Sequence, residues 1–122
     1  MNPFAVDSFS VARRRLRLKV PFITALGRKD FTENVFISLR LRSGIVGTGE
    51  ASGSVVNAHQ RPARLAGALR RLAAPWRGRD ARALAALTRD AWGRGAQTPS
   101  AAAALECALT DAVRRSLGLG WS

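Results

Sequence analysis

An α+β fold is predicted, with a three-stranded antiparallel β-meander first and a three-helix bundle after it. Three observations carry this expectation. Apolar and polar residues alternate ahead of Ala51, as at Val35, Ile37, Leu39 and Leu41, the period that sends successive side chains to opposite faces of a strand. Beyond Ala51 the spacing lengthens to that of an amphipathic helix, with Leu65, Leu69 and Leu72 on one stripe. Glycine and proline stand where these patterns break, and strands gathered ahead of helices favour segregated layers over a parallel sheet.

The first strand is predicted over residues 15–20, where Leu16, Leu18 and Val20 share one face. Pro21 lacks a backbone donor and is expected to end the pairing, leaving residues 22–32, with Gly27, Arg28, Lys29 and Asp30, as a loop. A second strand over 33–42 reaches a tight turn at Ser43 and Gly44, and a third returns over 45–50. The first helix carries the leucine stripe, with Arg61, Arg64, Arg70 and Arg71 mostly off it. Pro75 and Gly78 interrupt it. Asp80 is placed to cap a second helix whose inner face is Leu84, Leu87 and Ala91, and which Gly93 and Gly95 close. Thr98 followed by Pro99 predicts a third helix reaching about Leu117, a hydroxyl cap ahead of a proline whose missing N–H costs nothing there. Its alanines at 101–104, 108 and 112 let other backbones approach, while Leu105, Leu109 and Val113 supply bulk.

A chain of 122 residues has room for one domain, taken as 1–122, and excludes a complete barrel of strands and helices, which takes about 250. Hydrophobic residues at 47% argue for a folded core. The net charge of +12 invites nucleic acid or an anionic membrane as partner. Nearly all the excess is arginine, with lysine only at Lys19 and Lys29, spread over the solvent faces of every predicted element. That distribution speaks to solubility and non-specific binding rather than to a site. The run Arg13, Arg14, Arg15, Arg17 and Lys19 is the best anion patch, but it lies on a strand without aromatics between its charges and reads as a solvated edge. Cys107, the single cysteine, excludes an intramolecular disulfide and is expected to fill core among alanine and leucine. No signal-peptide pattern opens the chain and no stretch holds the roughly 20 apolar residues of a membrane span, so a cytoplasmic protein is expected.

Candidate chemistry is sparse. Gly47, Gly49 and Gly53 suggest a dinucleotide turn, but no helix follows directly and no parallel strand pairs behind it, so the glycines read as a strand exit. Glu106 and Asp111 lie about 140° apart on one helix and with Glu50 form no metal set. His59, the only histidine, has no acid or nucleophile at a telling distance.

Four stretches in fixed order say more: P-F-I-T-A-L-G at residues 21–27, the alternating strand at 35–41, G-T-G-E-A at 47–51 and A-A-L-E-C-A-L-T-D-A at 103–112. Together they resemble the amino-terminal capping domain of the enolase superfamily, in its mandelate racemase and muconate lactonizing branch. With E-N-V at 33–35 the look is closest to dipeptide epimerases, some of which carry an arginine directly after T-A-L, where this chain has Gly27 and then Arg28. The resemblance implies a catalytic barrel absent from this chain, supplied by a further domain or a separate subunit. It also implies abstraction of a proton alpha to a carboxylate, with magnesium and the acid–base groups on barrel strands. None of those groups is here, so no cofactor is expected in this chain and the isolated chain is expected to be inactive, while full-length relatives are magnesium-dependent isomerases or lyases. In the enzymes it resembles, two loops of the capping domain contact the distal part of the substrate, which makes Phe22, Thr24, Leu26, Arg28, Ser52 and Ser54 the specificity candidates. Glu50 is then structural or interfacial, and Glu106 and Asp111 lie away from the metal. Two other readings predict different behaviour. A small basic protein acting on nucleic acid or another polyanion would lose affinity when Arg13, Arg14, Arg15 and Arg17 are neutralised. A truncated fragment docking onto a separate barrel subunit would expose an apolar patch, including Trp121, and self-associate.

Overall fold

In the computed structural model, β1 (Val6–Thr24), β2 (Gly27–Leu41) and β3 (Val46–Ser52) form one antiparallel sheet in the order β1-β2-β3. Residues 1–25, 27–53 and 61–118 are described, with the backbone alone at 20–22, 24 and 28–30. The inward row of β2, Val35, Ile37, Leu39 and Leu41, is completely buried, as its alternation requires. Gly44 turns the chain into β3 at φ +95, a conformation that side chains with a Cβ resist, and its N–H donates to the Leu41 carbonyl at 2.9 Å.

β1 begins nine residues earlier than its alternation indicates, at Val6 rather than Arg15. The reason is a register shift between Val6 and Ser8, where Val6 pairs with Leu41 and Ser8 with Arg40, so the inward residues pass from even to odd numbering at Phe9 and Val11. One consequence reverses an expectation. Arg13 pairs with Val35, and so Arg13, Arg15 and Arg17 share the face of the core row, while Leu16 lies on the opposite face and is exposed. Pro21 does not end the strand. It sits in a second irregularity between Arg17 and Phe22, where the ladder skips, so its missing donor costs no bond.

Three helices follow, α1 (Pro62–Ala73), α2 (Leu84–Arg94) and α3 (Pro99–Ser116); α1 and α3 cover the inner face of the sheet and α2 packs on α3. Leu65, Leu69 and Leu72 of α1, Leu87 of α2, and Leu105 and Leu109 of α3 are fully buried in one core with the β2 row, each burial contributing about 1.5–3 kcal/mol relative to exposure. Among the described residues no helix is long and apolar enough to cross a membrane. Two predicted caps are replaced by other devices. The Thr98 hydroxyl makes no cap bond, although Pro99 occupies the first turn as expected. Asp80 stands four residues ahead of α2 and closes a local turn instead, accepting from the Arg82 N–H at 2.9 Å, from the Arg82 guanidinium and from Asn2 Nδ2 at 3.0 Å. Those donors, Arg82 foremost, hold its carboxyl far below the usual range. This turn fastens the chain start, since Ala81 N–H donates to Phe4 O and Val6 N–H to Arg79 O, both at 2.9 Å.

Gly47 and Gly49 do not serve as a strand exit. A Cβ at Gly47 would overlap the backbone of Ala108 and Ala112, and one at Gly49 the carbonyl of Ala104, so the glycines of β3 and the alanines of α3 bring helix and strand backbones into direct contact.

A polar network joins the helices. Trp76, completely buried in the 3₁₀ turn after α1, donates its indole N–H to Asp90 Oδ2 at 2.9 Å, and Arg94 clasps the same carboxylate. Arg94 also donates to the Leu72 carbonyl at 2.8 Å, satisfying an open acceptor at the end of α1. The Arg94 guanidinium first, and the Trp76 N–H after it, lower the Asp90 carboxyl to about 2. A depressed folded-state value means that Asp90 stabilises the fold above its ordinary value of 3.8 and that this contribution is lost as pH falls through about 2. Asp90→Asn is therefore expected to be less stable at neutral pH and to show a flatter acid limb below about pH 4, measured as thermal midpoints across a pH series.

Candidate functional site

β3 pairs with β2 only from Asn34 to Arg40, whereas β1 pairs with β2 on past Arg17 to Thr24. Beyond Asn34 the described residues form a two-stranded ribbon. The predicted loop over 22–32 is this ribbon's end: Phe22 pairs with Lys29, Ile23 with Arg28 and Thr24 with Gly27. Gly27 has φ +136, which suits the tight reversal before β2. Phe22, Thr24 and Arg28 are thus brought together on one hairpin. Ser52 is exposed at the end of β3, opposite Asn34, and is separated from Arg28 by about 20 Å of strand. Leu26 and Ser54 lie outside the described residues, as do His59 and Trp121.

The ribbon's core-side face is cationic with an apolar component. Arg13 Nε donates to Glu33 Oε1 at 2.6 Å, and the Arg15 guanidinium lies 4.1 Å from the centre of the Phe31 ring, its diagonal neighbour across the ladder. Phe31 is the aromatic that a reading along β1 alone misses; it comes from β2, and only the register reveals it. On the other side of the sheet Ser8, Phe9, Ser10, Ser38, Arg40 and Val46 line a shallow groove of about 320 Å³ that brings no acid or histidine to its serine hydroxyls.

Each acid of the sequence pattern has a structural partner. Glu50 accepts from Asn34 Nδ2, Glu106 Oε2 from Trp92 Nε1 at 2.7 Å, and Asp111 Oδ2 from the Thr48 N–H at 2.9 Å. Among the described residues no three of His, Cys, Asp and Glu lie close enough to hold a metal ion. Cys107 does not fill core: it is exposed on the outer face of α3, one position beyond Glu106.

A three-stranded meander backed by three helices, with a cationic two-stranded ribbon at one end, is the architecture of a capping domain. The chain belongs to the family described as mandelate racemase / muconate lactonizing enzyme, N-terminal domain, which matches residues 7–121. Among solved structures it is similar to a mandelate racemase/muconate lactonizing protein from Herpetosiphon aurantiacus, at 25% identity and a TM-score of 0.86 over 96% of this chain and 33% of that one. It is also similar to the L-Ala-D/L-Glu epimerase of Bacillus subtilis, at 26% identity and 0.83 over 93% and 32%. A third is the dipeptide epimerase of Methylococcus capsulatus, solved with Mg and the dipeptide L-Arg-D-Lys, at 28% identity and 0.82 over 93% and 32%. The chain thus spans about a third of the length of these relatives. Among curated protein sequences none matches it.

Proposed function

We propose that the chain is the substrate-facing cap of a magnesium-dependent racemase, epimerase or cycloisomerase acting on a carbon alpha to a carboxylate, with dipeptides as the first substrates to try. Domain 1–122 is the cap, and a barrel in a further domain or a separate subunit would hold the metal, as a similar dipeptide epimerase of about three times this length was solved with Mg. Bound there, magnesium would stabilise the negative charge that develops when the alpha proton leaves. The observation that supports this reading is the ribbon, which carries Phe22, Thr24 and Arg28 on one hairpin in a family whose similar members include epimerases solved with Mg and a dipeptide. Leu26, Ser52 at the end of β3, and Ser54 complete the proposed specificity set. The single cysteine suits a reducing cytoplasm.

The test is hydrogen exchange. The protein expressed from its whole reading frame, incubated with magnesium and a dipeptide panel in deuterium oxide, is expected to place one deuterium on an alpha carbon, read by mass spectrometry, and to stop when magnesium is chelated. Arg28→Ala is expected to shift preference among the panel by about tenfold, a change in KM more than in kcat. Absence of exchange on every dipeptide and every other carboxylate offered would overturn the proposal.

A further inference from the structure

The helices pack on one face of the sheet and leave the other open, with Ser10, Val46, Thr48 and Glu50 exposed on it. Strand register arranges this open face in rows that cross all three strands. The central row, Ser10, Ser38 and Thr48, is short and hydroxylic. On one side of it stand Ser8, Arg40 and Val46, which with the two serines of the central row line the groove of about 320 Å³. On the other side stand Ala12, Phe36 and Glu50, and Phe36 is the bulkiest apolar side chain of the three rows. A hollow and an apolar projection therefore flank the same line of hydroxyls. Charge is sparse here too: the three rows hold one cation, Arg40, and one acid, Glu50, in a chain of net charge +12. Depletion of charge beside aromatic and arginine side chains marks the core of a protein interface.

We propose that this face pairs with the same face of a second copy of the chain, about a two-fold axis lying along the central row. That axis sets the Phe36 row of each copy over the Arg40 row of the other, so projection meets hollow twice, as a self-complementary interface requires. Sheets packed face to face lie about 10 Å apart, a gap that phenylalanine from one side fills above serine from the other. The Phe36 ring comes against the guanidinium of Arg40, which among the described residues has no carboxylate partner. Glu50 comes to lie over Val46, the cross-strand neighbour of Arg40, which gives two equivalent Arg40–Glu50 pairs between copies. Most of the remaining charge lies off these rows, where salt screens it beyond about 8 Å. A polyanion has little to hold on rows without net charge. The paired area, about 10 Å across the strands and about 20 Å along β3, is at the small end of specific interfaces and sets an expected dissociation constant of about 10 μM.

The test is sedimentation equilibrium of the protein expressed from its whole reading frame, at concentrations from about 1 to 100 μM around that constant. Ser38→Arg puts two like charges face to face on the axis and is expected to weaken pairing by about a hundredfold. Arg40→Glu and Glu50→Arg, both at exposed positions, are each expected to weaken it by about tenfold or more. Mixed in equal amounts, these last two variants are expected to pair within about threefold of the parent, because each mixed dimer then carries two opposite-charge pairs while either variant alone carries two like-charge pairs. Recovery on mixing also shows that both variants fold. Where the barrel adds contacts of its own, the same variants halve the assembly instead of leaving single chains. A parent that stays a single chain at the highest concentration would overturn the proposal, as would an assembly that Ser38→Arg leaves unchanged. So would mixed variants that associate no better than either alone, the result expected if a barrel or another protein covers this face.

Discussion

Gly49→Val is expected to cost more than about 3 kcal/mol, enough to take a marginally stable domain to the edge of unfolding at room temperature. A Cβ at position 49 falls inside van der Waals contact of the Ala104 carbonyl oxygen, which is backbone of α3 and cannot rotate away. Relief requires shifting α3, and α3 carries Leu105 and Leu109 into the centre of the core. Because the obstacle is main chain, Ala104→Gly does not rescue the variant. Gly49→Ala is expected to share most of the loss, since the first added carbon already meets the oxygen. Gly67 supplies the contrast: it lies exposed in the middle of α1 with nothing within 4 Å of an added Cβ, and Gly67→Ala is expected to stabilise by about 0.5–1 kcal/mol. Urea unfolding of the three variants decides it. A Gly49→Ala protein as stable as the parent would show that α3 does not rest on β3 in solution.

The same contact illustrates where sequence reading succeeds and where it stops. The period-two row of β2 and the leucine stripe of α1 were legible because one face of each element is buried along its whole length, which makes the pattern regular. β1 was half legible. A register shift after Val6 changes which parity points inward, Pro21 imitates a strand end, and past Val11 the core-side face carries arginine, so alternation continues while its hydrophobic meaning inverts. Gly47 and Gly49 stand out in the sequence, but their reason lies across the sheet in the alanines of α3, more than fifty residues on, which no local window joins. Cys107 has apolar neighbours in sequence, whereas its phase on α3 puts it on the outer stripe with Glu106. At the candidate site the hairpin residues could be named but their grouping could not. Pairing places Phe22, Thr24 and Arg28 on one hairpin and leaves Ser52 far along the strand, and the Arg15 stack needs Phe31 from the neighbouring strand.

Asp111→Ala is expected to cost about 1–3 kcal/mol. The 140° between Glu106 and Asp111, which rules out a shared metal, has a structural use: one acid reaches outward to Trp92 of α2 and the other inward to β3. Asp111 is 5% exposed, and its carboxylate accepts the Thr48 N–H at 2.9 Å and Arg115 Nε at 3.1 Å. Thr48 stands on the edge strand, where an N–H has no further strand to bond, so α3 satisfies the edge of the sheet it covers. Removing the carboxylate leaves that donor without its acceptor beneath the helix. Asp111→Asn keeps an oxygen for Thr48 and is expected to lose less than about 1 kcal/mol, and Arg115→Ala little, because its side chain is largely in solvent. Amide hydrogen exchange separates the two contributions. The Thr48 amide is expected to lose protection in Asp111→Ala but keep it in Asp111→Asn and Arg115→Ala. Protection that instead follows Arg115 would make the ion pair, rather than the bond to the strand edge, the reason this helix ends its pattern on an aspartate.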